Sequence, residues 1–404
     1  MNVMRTGIVT LLLALALPGT GTVDALGAPF ELKFKHGGHA RVPFVLRNQL
    51  VWLRGAVNGS DSIWIVVDTG ASASLMDENV ARRLSLKLKG EHDAHGAGGT
   101  QQGSFAHNVT ISIPGLSIRR ERLPTTDLSA FGRQGGRPME LVLGYELFES
   151  RVVRFDYAAG IMDVWEVGQA PAVTGGATLP FTLDHNHPYV EAELVLPGRA
   201  PIRGRFVIDT GSAMALLVAP DVAARESVTT AFPTRITTLS RGVGGELKNQ
   251  VGRAESFTLG GLSFSKPVVV VPEAGGQISV PGSVGNIGGQ ILGRCRVTFD
   301  YARKQIHLEQ AENFERPFEA DMLGATLHRL EDGVTVRWVN PGTPASESGL
   351  LVGDVVTHID DEPAESIDPP TLRQRMQTEG RQVKLRLKRG TLSLEVTATL
   401  RRLI

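Results

Sequence analysis

The sequence predicts a mostly β protein with two copies of one lobe and a smaller third module. Three observations carry this. The 404-residue chain holds 46 glycines, which punctuate short β-like runs. Helix-like stretches are few and short. Five landmarks also recur in one order: RVPFVL (Pro43-Phe44) and TLPFTL (Pro180-Phe181), WIVVDTGAS (Asp68) and RFVIDTGSA (Asp209), HGAGGT and RGVGGE, LVLGYELF and QILGRCRV, RFDYAAG and TFDYARK. Their offsets run from 137 to 149 residues. A unit of about 140 residues is too long for a solenoid repeat and reads as a duplicated lobe.

The elements follow in order. Arg5, the apolar stretch Gly7 to Leu17 and small residues near Ala25 read as an export signal over residues 1–27. The apolar stretch is shorter than the roughly 20 residues of a membrane span; an uncleaved signal acting as an anchor is the alternative. Residues 28–170 form the first lobe and 171–315 the second, joined by GQAPAVTGGA, a linker by composition. In each lobe a β-like run leads to a second run ending on aspartate. A short helix follows (MDENVARRLSL, APDVAARES), then a glycine tip, more strands, an apolar-Gly segment and a closing Phe-Asp-Tyr strand. Residues 320–404 form the third module. The 42 basic and 42 acidic residues balance, which argues against nucleic acid as a partner. The single Cys295 allows no intrachain disulfide and reads as a small core residue. Export without disulfides fits a periplasmic or secreted bacterial protein.

A strand that ends on a buried carboxylate is costly unless the charge is paired, hydrogen-bonded or protonated. One Asp-Thr-Gly alone reads as a turn cap. Two copies change this, because a pseudo-twofold assembly brings Asp68 and Asp209 to its axis. Two carboxyls about 3 Å apart do not both ionise, so the pair holds a general acid and a general base together. Thr69 and Thr210 can bond across the axis, and Gly70 and Gly211 let backbone N–H groups approach the carboxylates.

With these motifs the chain resembles a bilobal aspartic protease of the pepsin and retropepsin class, over roughly residues 40 to 312. Asp68-Thr69-Gly70 and Asp209-Thr210-Gly211 are similar to that family's triplets, implying Asp68 and Asp209 as catalytic residues. LVLG (Leu141 to Gly144) and QILG (Gln290 to Gly293) resemble its apolar-Gly segment. Gly96-Ala97-Gly98-Gly99 and Gly242-Val243-Gly244-Gly245 resemble two retropepsin flap tips, expected to close over an extended substrate. The chain departs from the family in lacking a pepsin-like flap tyrosine. The residue after the triplet also differs, Ala71 against Ser212, so a Ser212 bond to a carboxylate would make the aspartates unequal.

The third module resembles a circularly permuted bacterial PDZ domain, a small α+β unit, through LGA (Leu323, Gly324, Ala325) and VNPGTPASESGLLVGDVV. The resemblance implies a peptide added as a strand beside Ala325–Leu330, with the 323–325 amides taking its C-terminal carboxylate. Ala325 is smaller than the apolar residue usual there. His36, His39, His92, His95, His185 and His187 have spacings a metal could use but read as solvated loop residues, so neither metal nor cofactor is expected. The resulting expectation is an exported, monomeric aspartic endopeptidase that acts on peptide or unfolded protein. The alternative is a non-catalytic peptide-binding scaffold.

Overall fold

The computed structural model describes residues 29–273, 282–330 and 333–404. The proposed signal segment lies outside them. The described chain is mostly β, with two large sheet lobes and a small C-terminal domain.

Each lobe is organised around the strand that ends on aspartate. In the first, Ile63–Val67 is apolar and β-branched almost throughout, as a strand covered on both faces requires. It lies between antiparallel Leu50–Val57 and parallel Leu141–Leu143, followed outward by Leu75–Asp77 and Leu116–Thr126. In the second, Ile202–Ile208 lies between antiparallel His187–Val195 and parallel Ser283–Ile287, followed by Leu216–Val218 and Val268–Pro272. The order is the same in both lobes.

This register corrects one sequence alignment. The counterpart of Leu141-Val142-Leu143-Gly144 is Gly285-Asn286-Ile287-Gly288, not QILG. Asp68 N–H donates to the Leu143 carbonyl and Asp209 N–H to the Ile287 carbonyl, each at 3.0 Å. Tyr145 N–H and Gly289 N–H then reach back to the Ala71 and Ser212 carbonyls. QILG forms a short helix, Gly289–Leu292. The polar Asn286 interrupts the apolar pattern and disguises the strand.

The lobes are joined by a six-stranded sheet that takes three strands from each. Its two central strands, Arg151–Asp156 and Cys295–Asp300, are the Phe-Asp-Tyr segments paired antiparallel, with Val153 opposite Phe299. Phe155 meets Phe299 edge to face, with ring centroids 6.0 Å apart, inside one apolar core that runs through both lobes. The C-terminal domain has its own core and a sheet in which Ala325–Leu330 is an edge strand, with helix Pro369–Arg375 nearby.

Candidate active site

The two aspartate loops meet at the lobe interface. Gly70 N–H donates to Asp68 Oδ1 at 2.7 Å, and Gly211 N–H to Asp209 Oδ1 at 2.8 Å. The threonines cross over. Thr69 Oγ1 accepts from Thr210 N–H and donates to the Ile208 carbonyl; Thr210 Oγ1 accepts from Thr69 N–H and donates to the Val67 carbonyl, all within 2.7–3.0 Å. A Cβ added at Gly70 would sit 2.6 Å from the Asp209 Cγ, and one at Gly211 only 2.2 Å from the Asp68 Cγ. Each glycine therefore leaves the space that the opposite carboxyl fills, and any side chain there drives the loops apart.

Both carboxyls are wholly buried and within hydrogen-bonding reach of one another. Burial raises the Asp68 pKa well above the ordinary 3.8, and the adjacent Asp209 charge adds to this. Burial also raises that of Asp209. There, hydrogen bonds from Asp68, Asn286 and the amides of Gly211 and Ser212 oppose the rise. Asn286 Nδ2 donates to Asp209 Oδ2 at 2.5 Å. The Ser212 side chain instead accepts a long bond from Met214 N–H. Asp68 Oδ2 is buried and receives no hydrogen bond from a fixed donor.

The supports behind the loops escaped sequence inspection. Glu146 and Arg120 form a fully buried ion pair at 2.5 Å. Glu146 also accepts from Ser74 N–H and Oγ–H, and Ser74 Oγ accepts from Gly144 N–H. Nothing local marks Ser74 or Glu146, since they are 72 residues apart. The lobes also exchange hairpin tips: Asn186 Nδ2 donates to the Ser72 carbonyl, and Gln49 packs on Gly289.

The histidines are not all solvated. His187 is 3 % exposed, donates Nδ1–H to the Asp184 carbonyl and lies against the Gly70 backbone, where burial lowers its pKa. His92 is packed on Phe105, and His95 bonds Thr100; both are buried. His39 pairs with Asp163 and stacks on Trp165. His36 and His185 are exposed. The buried His92, His95 and His187 lie on strands rather than in open loops, so the polar, glycine-rich composition around them misleads. Among the described residues no group of three or more His, Cys, Asp or Glu is placed to hold a metal. Cys295 is buried and its thiol is pushed up to about 12, far from reactive.

The glycine tips meet above the loops. Gly96 pairs with Gly99 and Gly242 with Gly245, which leaves two-residue turns. Gly98 N–H donates to the Val243 carbonyl at 2.9 Å, and a Cβ at Gly244 would strike Gly99. Ala97 and Val243 are fully buried. Val243, from the second lobe, packs into a first-lobe cluster with Trp52, Ala71 and Phe131.

The C-terminal domain touches both lobes. Asn340 accepts from Thr237 N–H at 2.7 Å and donates to the Thr237 carbonyl at 2.9 Å, on the Ile236–Gly242 strand of the second tip. Arg47 of the first lobe donates to Asp368 at 2.6 Å, and Gln134 lines the groove beside Ala325, Leu327, Leu372 and Met376. The 323–325 loop is not free as the sequence suggested. Gly324 N–H donates to Asp321 Oδ1 at 2.7 Å, and Leu323 N–H bonds the same carboxylate. Asp321 thus holds two amides expected to take a ligand carboxylate, and its enclosure pushes its pKa up to about 7.

A family model described as aspartyl protease matches residues 53–147 and 193–289, and one described as PDZ domain matches 322–400. No curated protein matches the chain significantly. Both lobes thus match one aspartyl protease family, their triplets face to face across a shared axis, and a PDZ domain follows the second lobe.

Proposed function

We propose that the protein is an aspartic endopeptidase that hydrolyses peptide bonds between Asp68 and Asp209. The observation that carries this is the meeting of the two loops, in which Gly70 and Gly211 each leave room only for the opposite carboxyl. Buried carboxyls this close share a proton. The ionised member takes a proton from an attacking water. The protonated member supports the oxyanion that forms on the peptide carbonyl and then helps protonate the leaving amine. The crossed threonine bonds hold the loops in register, so little reorganisation is needed when charge moves.

The substrate is an extended peptide segment or unfolded protein. The tips, closed in this structure, part to admit it and close again to exclude water. The PDZ groove supplies a second peptide site on the same chain and raises the local concentration of captured substrate. Residues 1–27 direct export, so the enzyme acts in the periplasm or outside the cell, as a monomer.

The test is cleavage of unfolded casein between about pH 4 and 7, where a shared-proton dyad is active, with and without pepstatin. Pepstatin-sensitive cleavage by the wild type, lost in Asp68→Asn and in Asp209→Asn, supports the proposal. Full turnover by either variant, or no cleavage at any pH, returns the chain to the scaffold alternative.

A further inference from the structure

The lobes repeat each other strand for strand around the aspartates, but one polar side chain that touches a catalytic-loop carboxyl in the second lobe has an apolar counterpart in the first. Val142 and Asn286 occupy equivalent positions, one residue before the residue whose carbonyl accepts from the aspartate N–H. Val142 packs in an apolar cluster and offers no donor. Asn286 is 1 % exposed and donates to Asp209 Oδ2 at 2.5 Å. Its own Oδ1 is buried without a partner. An amide that leaves one end unsatisfied to aim the other at a carboxylate is costly, and the cost is offset only if that carboxylate is charged.

We infer that Asn286 is a positioning residue that fixes the negative charge of the dyad on Asp209 and its shared proton on Asp68. The inference rests on the proposed dyad chemistry and assigns its roles: Asp209 is the base that accepts the water proton, and Asp68 is the acid facing the carbonyl oxygen. The other titratable groups near the pair are Tyr301, His187 against the Gly70 backbone, and the Glu146–Arg120 pair behind the first loop. Burial keeps Tyr301 and His187 uncharged at neutral pH. All of them are common to the wild type and the variants below, so they cancel in a comparison.

The experiment is the pH profile of kcat/KM on unfolded casein. The donor stabilises the singly ionised pair relative to the fully protonated one. Removing it raises the lower pKa of the pair, so activity fails sooner on the acid side. The singly and doubly ionised forms both carry the Asp209 charge, so the upper pKa stays in place. Asn286→Leu, close in shape and without a donor, should move the acid limb up by about one to two pH units and leave the alkaline limb unmoved. Adding Val142→Asn, which offers Asp68 a donor, should bring the acid limb back down. Limb position is independent of the folded fraction, so a poorly folding variant still reports. If Asn286→Leu gives no soluble protein, Asn286→Val, the residue type at the equivalent position of the first lobe and likewise without a donor, replaces it. A bell of wild-type position in the Asn286 variant, whatever its height, overturns the inference and leaves the dyad standing. A wild type that cleaves nothing at any pH, or an Asp209→Asn variant with full turnover, removes the dyad and the inference with it.

Discussion

The two lobes share strand order, crossed threonines and glycine tips, yet differ in where each places its polar support. The first sets a buried Glu146–Arg120 pair behind its aspartate loop and bonds it through Ser74. The second has Gln290 and Ala215 nearby, and places Asn286 directly on its carboxylate. The tips differ too. The first rides on the 15-residue strand Gly99–Ile113, which pairs from Ser104 onward with Leu116–Thr126. The second rises on the shorter strands Ile236–Gly242 and Gly245–Arg253 and is braced by Asn340 of the PDZ domain. Duplication preserved the apolar frame, where volume and register constrain every position. Divergence went into polar contacts around the carboxyls and tips, where one side chain alters charge or mobility without disturbing the sheet.

Four experiments probe this comparison, beginning with the largest effect. Asp68→Asn and Asp209→Asn should each lower kcat/KM by about 10²–10⁴-fold with the fold intact by circular dichroism, since neither lobe is dispensable. A lobe whose aspartate tolerates the change would break the symmetry outright. Next, Glu146→Ala takes the carboxylate away from the buried Arg120 and should cost about 3–5 kcal/mol in denaturant unfolding, whereas Gln290→Ala should cost about 1 kcal/mol. Equal losses would mean the polar supports are interchangeable.

The third is a stability profile. Asp68 has a raised pKa in the folded state, so the native state binds more protons than the unfolded one above pH 3.8. This contribution is complete below the unfolded pKa and is lost as pH rises through the folded value. Thermal melts should therefore show wild-type stability falling from about pH 4 upward, with a flatter profile in Asp68→Asn. The last is Asn340→Ala, which removes two bonds to the second tip and should cost about 1–2 kcal/mol. Faster amide exchange over 236–253, with 88–113 unchanged, would show that the PDZ domain braces one tip alone.

Much of this architecture was legible in the chain. The Ile63–Val67 strand, the short helices after each triplet and the third module all follow from local patterning. The failures were at polar positions. Asn286 broke the apolar pattern of its strand and shifted the alignment onto QILG, because period-2 reasoning has no place for a buried amide that serves a neighbour. His92, His95 and His187 sit in polar or glycine-rich sequence that reads as loop, and their burial comes from residues far along the chain. The 323–325 amides read as open to a ligand, and nothing in the local pattern marks Asp321, a short turn away, as the acceptor for those of Leu323 and Gly324.

The duplicated lobe, the paired triplets and the glycine tips can be read along the chain, because strand periodicity and turn chemistry act over a few residues. Which aspartate receives an extra donor, how the tips interlock and which tip the PDZ domain holds emerge in the folded molecule alone. Those outcomes depend on contacts such as Asn286 to Asp209, 77 residues apart, and Asn340 to Thr237, 103 apart. Burial makes such contacts strong, and no local pattern in the chain records them.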